Sequence, residues 1–532
     1  MSIKAEYQTE SYIKKIAELT SRSVVECRFS FGDGVSEVLA VSPQLSPEGC
    51  EVTSGRVNYG GRLVCTAVYC DVNGKLSRAQ KGAEFSHFAD DDRLAPAQSA
   101  FLRLTCEKAT VRRDGSSFLV TAVICAEIAV YGTAERAYLS SADGAVCRFE
   151  PVKFLSAVTF SGDSEVEDDF EAAGVEDILT HDVKTIVTDC RCGGGEVRIS
   201  GEIFLSLLAL RSGEPVALDR VIPFSSEILC DEAVLPVRAM CCAQVKDASV
   251  AATVNEERGR CGINFTAQLS FFGCFYDEHE ATAATDAFRA GGDCNLSLSE
   301  ETVPVCEDIR VYTERVSGAC SVKAKIDYSC AFKVAACPKA ECTYSADTGM
   351  LEGAVTFMLI YSREKEIHSA EVALPFSVKL KGAEGHCSAV EVAVNNVSVR
   401  QRAEGECEAE ASIKITAVIS AGRRSGYISE IADGADDEAE PCAVTVLLPF
   451  EGETLWSAAK RLRMSPEEVA GACGGTAFPL KGDERIVIYR TKKCRKQTAW
   501  GLKKYLKVFS RPYGGEKFGR RAQIFARGAL FV

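Results

Sequence analysis

Long apolar runs are missing from this 532-residue chain, and no uninterrupted apolar stretch approaches the roughly 18 residues that a membrane-spanning helix needs. The opening residues, Met1-Ser2-Ile3-Lys4-Ala5-Glu6, lead into a polar segment without the apolar region of a secretory signal. The expectation is a protein made and kept in a cytoplasm. Histidine is scarce: His87, His181, His279, His368 and His386 are scattered without metal-ligand spacing. His279-Glu280 opens like a zinc-protease motif, but Ala283 stands where the second histidine is required. No Walker loop, dinucleotide fingerprint or nucleophile elbow is present, and Gly193-Gly194-Gly195 reads as a turn before a strand. The acid pairs Asp168-Asp169 and Asp436-Asp437 fall in stretches that read as linkers, where no low-dielectric cleft would shift a pKa. Without a catalytic constellation, the chain reads as a non-enzyme with no metal and no cofactor.

Cysteine, by contrast, is abundant. Twenty-five are present, yet none has Cys-x-x-Cys spacing, and Cys190/Cys192, Cys241/Cys242 and Cys337/Cys342 repeat no ligand pattern. In a reducing cytosol they read as small buried hydrophobes on strands, with late cross-linking in an oxidised layer as the alternative. The charge is uneven. The formal net charge is −14, but residues 491–532 hold 12 Lys/Arg and one acid, Glu516, so the tail carries +11 and the rest −25. An acidic body excludes nucleic-acid binding by the chain as a whole.

With 26% charged and 46% apolar residues the chain is an ordinary globular composition, too long for one core. Period-two alternation dominates. Phe118, Val120, Ala122, Ile124, Ala126, Ile128 and Val130 share one side of a strand, as do Ile413, Ile415, Ala417 and Ile419. A third such run is expected over Val322–Val334, and one buried face per strand implies antiparallel sheets. A short helix is expected at Tyr12–Leu19. Three segments then share an order of strand, hairpin turn, strand and a Phe-Ser step. They are Leu63–Ser86 with a type I′ turn at Asn73-Gly74, Val197–Ser225 turning at Ser212-Gly213, and Leu351–Ser377 turning near Arg363-Glu364. The steps are Phe85-Ser86, Phe224-Ser225 and Phe376-Ser377, each followed by a further strand (Thr110-Val111, Ser249-Val250, Ser398-Val399) and a long alternating one. The fold class is therefore mainly β, with three diverged antiparallel β repeat domains at 1–140, 141–290 and 291–432. The acidic stretches Ser161–Asp177 and Asp433–Pro441 read as solvated linkers, the second (433–442) leaving the C-terminal part free to swing.

Residues 443–490 read as a small βααβ domain. Thr445–Leu448 and Ile486–Tyr489 are strand-like; Thr454 caps a helix with Leu455, Ala458, Ala459 and Leu462 on one face. Ser465-Pro466-Glu467-Glu468 is a capping box with proline at the first helical position, and Gly474-Gly475 stops the helix. These residues resemble a LysM module: Gly452-Glu453-Thr454-Leu455-Trp456, the Lys460-Arg461-Leu462 helix, the Ser465–Glu468 start and the Leu480-Lys481-Gly482 turn match its signatures in order. Ala472-Cys473-Gly474 replaces the Asn usual after the second helix, and the Lys-Pro-Gly turn is shortened. LysM modules bind N-acetylglucosamine-containing glycans such as peptidoglycan or chitin. The resemblance places the groove at Glu451, Gly452, Glu453, Thr454, Leu455 and Trp456 and at Gly471, Ala472, Cys473 and Gly474, with Leu455 and Trp456 weighed as module core or ligand platform.

Three β repeats followed by one LysM resemble the SipL-type spore-coat morphogenetic proteins of endospore-forming clostridia, whose β units are called SPOCS domains. That resemblance implies a structural adaptor in the mother-cell cytoplasm, docked on the coat-basement ATPase at the forespore surface and tethering other spore-coat proteins. The alternative is a protein anchored to wall or cortex glycan. In the tail, Leu502, Leu506 and Phe509 share a helical face away from Lys503, Lys504 and Lys507, which would suit contact with an anionic membrane or an acidic partner, or merely a solubilising extension.

Overall fold

The computed structural model describes residues 2–30, 34–114, 117–255, 260–290, 292–322, 330–403, 406–436, 444–474, 477–482 and 485–489. The molecule is mainly β, built from several antiparallel sheets, and three successive stretches are wired alike. The first contains β1 (Lys4–Ser30), β2 (Val35–Thr53), β3 (Arg56–Asp71), β4 (Leu76–Asp90), β5 (Ser99–Asp114) and β6 (Ser117–Asp143). A meander, β2-β3-β4, faces a second sheet ordered β1-β6-β5. The second stretch contains β7 (Val146–Ala173), β8 (Val175–Gly193), β9 (Glu196–Arg211), β10 (Glu214–Leu229), β11 (Val237–Arg238), β12 (Met240–Asn255) and β13 (Arg260–Phe288). Its sheets are β10-β9-β8-β11 and β12-β13-β7. In the third, β14 (Gly292–Ser321), β15 (Ala331–Ser345), β16 (Met350–Arg363), β17 (Glu366–Lys379), β18 (Cys387–Ala403) and β19 (Glu406–Asp436) form β15-β16-β17 and β14-β19-β18. Alternation supplies each sheet with one apolar face, and the paired faces close a core of fully buried side chains such as Leu63 and Ile124, Ile199 and Phe265, Leu359 and Ile413.

The Phe-Ser step has a physical basis in this arrangement. Phe85, Phe224 and Phe376 lie directly across from Gly61, Gly201 and Gly353 on the central meander strand. An added Cβ at these glycines would meet the carbonyl of Ser46, Ile186 or Glu341 on the other neighbouring strand. At Gly61 and Gly201 it would also strike the Phe ring, so the aromatic side chain covers bare backbone that no larger residue could occupy. A closing contact also recurs: the N–H groups of Asp91, Cys230 and Leu380 donate to the carbonyls of Gly55, Gly195 and Gly349 (3.1, 3.0 and 2.8 Å). Each of those glycines has positive φ (74°, 87° and 68°).

Several expectations are overturned. Tyr12–Leu19 is not helical but lies inside β1. The register slips between Lys15 and Ala17, so a β-bulge turns period-two alternation into spacing that mimics a helix. Ser161–Asp177 is no linker: Ser161–Ala173 is strand β7, at the edge of its sheet, and Val175–Asp177 begins β8. Asp163, Glu165, Glu167, Asp169 and Glu171 are exposed on one face while Val166 and Phe170 are half-buried on the other. Charges here guard an edge against further pairing. Asp168 and Asp169 are accordingly strand residues, bonded to Arg220 Nε (2.9 Å) and Asn264 Nδ2 (2.7 Å). The Asn73-Gly74 turn is not a two-residue type I′ hairpin. Asp71 Oδ1 accepts the N–H groups of Asn73 and Lys75 (both 2.8 Å), widening the loop. The two-residue loops with both φ positive occur instead at Ser212-Gly213 and Glu364-Lys365. The expected strand Val322–Val334 falls partly outside the described residues; Val322 forms a lone bridge to Val372 and β15 begins at Ala331.

The three stretches also share apolar contacts. Leu39, Val68, Leu179, Leu208, Ala336 and Ile360 form one common cluster, and Tyr138, Phe154 and Tyr427 another. Arg136, buried beside the second, lies over the rings of Tyr12 (3.6 Å) and Phe154 (4.8 Å), pairs with Glu10 (2.8 Å) and donates to the Leu155 carbonyl (2.7 Å).

A candidate interaction site in the C-terminal module

The C-terminal unit consists of β20 (Val444–Leu447), α1 (Leu455–Leu462), α2 (Pro466–Ala472) and β21 (Ile486–Tyr489). The strands pair antiparallel, Val444 with Tyr489 through Leu447 with Ile486. Thr454 Oγ1 accepts the Ser457 N–H (3.2 Å) as N-cap of α1. At α2, Ser465 Oγ accepts the Glu468 N–H (3.2 Å) and Glu468 Oε2 accepts the Ser465 N–H (3.3 Å), a complete capping box with Pro466 in the first turn. Ala458, Ala459, Leu462, Val469 and Ile488 are buried in its core. That core does not close by itself. Phe288, at the end of β13, is part of it, and Val146 of β7 packs against it.

The ten groove residues separate into different roles. Glu451 Oε2 accepts the Gly482 N–H (2.8 Å), and the Gly452 N–H donates to the Leu480 carbonyl (2.9 Å), so the first turn is fastened to the turn before β21. Gly452 has φ 78°, which favours glycine there. Glu453 is buried; its carboxylate accepts from Arg461 Nη2 (2.8 Å) and the Phe450 N–H (3.1 Å). Thr454 is spent as a cap, and Leu455 is half-buried. Ala472 and Cys473 are buried in the core, whereas Gly471 and Gly474 are exposed. Glu453, Ala472 and Cys473 are thus interior groups, leaving Glu451, Gly452, Thr454, Gly471 and Gly474 at the surface.

Trp456 takes a role between the two weighed for it. Its ring meets Phe288 edge-on (5.2 Å between centroids), and its Nε1 donates to Asp286 Oδ2 (2.8 Å). Lys460 pairs with the other oxygen of Asp286, and Arg463 with Asp293 of β14. Burial raises the pKa of Asp286, but the Lys460 and Trp456 hydrogen bonds outweigh it and hold the carboxyl below its ordinary value. The module is therefore docked on β13 and β14 rather than swinging free. Asp433–Asp436, expected in the linker, belongs to β19, and Asp433 accepts from Ser2 Oγ (2.8 Å) and the Ile3 N–H (3.1 Å). Asp437 and the rest of that stretch, like the basic tail, lie outside the described residues.

The module also leaves large apolar side chains exposed: Val444, Leu448, Phe450 and Tyr489, with the Arg461 guanidinium 4.8 Å from the Phe450 ring. Phe450 is 68% exposed and Tyr489 55%. No sequence signal marks this surface beyond strand ends richer in apolar residues than one buried face requires. Elsewhere His279 meets Glu10 (2.9 Å), His368 meets Glu37 (2.8 Å) and Glu366 (3.7 Å), and His181 meets Gln44 (2.6 Å) and the Ala248 carbonyl (3.3 Å). Burial lowers the pKa of His181. Among the described residues no group of three or more His, Cys, Asp and Glu is arranged to hold a metal, and no helix is long and apolar enough to cross a membrane. A cavity of about 810 Å³ is lined by all three β stretches, among its walls Gln44, Arg103, Lys184, Lys339 and Glu391. Arg103 pairs with Glu391 there (2.6 Å), and burial lowers the pKa of Lys184.

No protein-family model matches the chain, and neither a curated protein nor a solved structure does.

Proposed function

We propose that the chain is a non-enzymatic structural adaptor of spore-coat assembly. In this reading the three β stretches are diverged SPOCS-like domains forming a scaffold, and the βααβ unit is a LysM-like module that recruits a protein. Its partners are the coat-basement ATPase and other coat proteins at the forespore surface, met in the mother-cell cytoplasm. The observation that carries the choice of a protein ligand is the module's division of labour. Trp456 is committed to Phe288 and Asp286, while Leu448, Phe450 and Tyr489 stay exposed beside a two-stranded sheet. Exposed aromatic and aliphatic groups next to an arginine suit a protein interface.

The competing reading is binding of peptidoglycan or another N-acetylglucosamine-containing glycan through the exposed Glu451, Thr454, Gly471 and Gly474. Co-sedimentation of the full chain with peptidoglycan sacculi, run beside a pull-down on the purified coat-basement ATPase, separates the two. Retention of the ATPase, lost in Phe450→Ala/Tyr489→Ala and without sacculus binding, supports the adaptor. Saturable sacculus binding competed by chitin oligomers, with no ATPase retained, overturns it in favour of a glycan anchor.

A further inference from the structure

No disulfide joins the cysteines among the described residues, but the thiols are not evenly dispersed. Three pairs of thiols are neighbours within one core cluster, one in each β stretch: Cys27 with Cys65, Cys190 with Cys241, and Cys320 with Cys407. Cys320 and Cys407 are directly opposed across β14 and β19, and Cys407 Sγ also approaches the Cys320 carbonyl (3.6 Å). Directly opposed residues of antiparallel strands have Cα atoms about 4.5–5.5 Å apart, inside the window a disulfide needs. The other two pairs join facing sheets: β1 to β3 and β8 to β12. Cys27, Cys65, Cys190, Cys320 and Cys407 are buried and Cys241 is half-buried, so a chain-to-chain bond through these thiols is blocked while an internal one is not.

We propose that these three pairs are sites of oxidative modification, each closing to an intramolecular disulfide that ties together two strands of its own sandwich when the protein meets a peroxide. One thiolate of a pair attacks a peroxide oxygen and becomes a sulfenic acid as the O–O bond breaks and hydroxide leaves. The neighbouring thiol then attacks the sulfenic sulfur, the S–S bond forms, and water departs with the thiol proton. One peroxide is reduced per disulfide. Burial raises the pKa of both thiols in the Cys27/Cys65 and Cys320/Cys407 pairs, so closure is slow.

The test uses the reduced full-length chain, held folded in hydrogen peroxide, then alkylated and digested without reductant. The expected map has three linked peptide pairs, Cys27–Cys65, Cys190–Cys241 and Cys320–Cys407, with six of the 25 thiols lost and no covalent dimer. Cys65→Ala, Cys241→Ala and Cys407→Ala should each delete one link and leave the other two. Links between other cysteines, or a folded chain that keeps all its thiols while the guanidinium-unfolded chain loses them, would overturn the proposal; the wild-type map decides this even if a variant fails to fold.

Discussion

The second β stretch and the C-terminal module differ in how they obtain a core. The β stretch supplies most of its own: Phe265, Leu269 and Phe271 on β13 are fully buried against Ile199, Leu205 and Leu207 on β9, and Cys306 and Ile309 of β14 only add to the cluster. The module has two four-residue strands and two helices of eight and seven residues, and it takes Phe288 from the β stretch to complete the cluster around Ala458 and Val469. Long strands provide enough apolar area on one face to pair with another sheet; a unit this short does not, and leans on a neighbour. Its Trp456 side is therefore already occupied by β13, while the side of Phe450 and Tyr489 stays open.

The comparison can be broken at several points. Phe265→Ala should cost the second β stretch about 4 kcal/mol in denaturant unfolding, since it empties a fully buried site. Gly201→Val should cost about 3 kcal/mol, because the new side chain meets both the Ile186 carbonyl and the Phe224 ring. Gly213→Val, where no atom lies within 4 Å of an added Cβ, should cost less than Gly201→Val, and only through its φ of 75°. Asp286→Asn should weaken module docking by about 1–2 kcal/mol, read as faster proteolysis in α1 with the β sheets still protected.

The same carboxylate sets a pH dependence. Its folded pKa is depressed, so its contribution is present above the ordinary carboxylate range and is lost as the pH falls through the folded value. Module protection should therefore fall below about pH 4 in the wild type, with a flatter profile in Asp286→Asn. The smallest effect belongs to Ser465→Ala, which removes one cap and should cost about 1 kcal/mol.

The strands were readable because each has one buried face, and alternation records that directly. The Phe-Ser steps were visible as a pattern, but their cause, a glycine across the ladder, needs strand register and cannot be read along one strand. Reading failed where a local signal had two origins. A bulge after Lys15 imitates helical spacing, and the acids of Ser161–Ala173 look like a linker because an edge strand and a linker both want charge facing water. In the module the caps at Thr454 and Ser465 were legible because they lie within four residues of their partners. The role of Trp456 was not, since Asp286 is 170 residues away in sequence. The burial of Glu453 was hidden likewise, because its Arg461 partner sits on the next helix rather than in the turn itself.

The dependence of the module on β13 is tested most directly by hydrogen exchange over the β20 and β21 amides, compared between the full chain and an excised segment 443–490. Loss of at least tenfold in protection on excision, reproduced in the full chain by Phe288→Ala, is the predicted result. Equal protection in the excised segment and the full chain would contradict it, since the module would then close its own core.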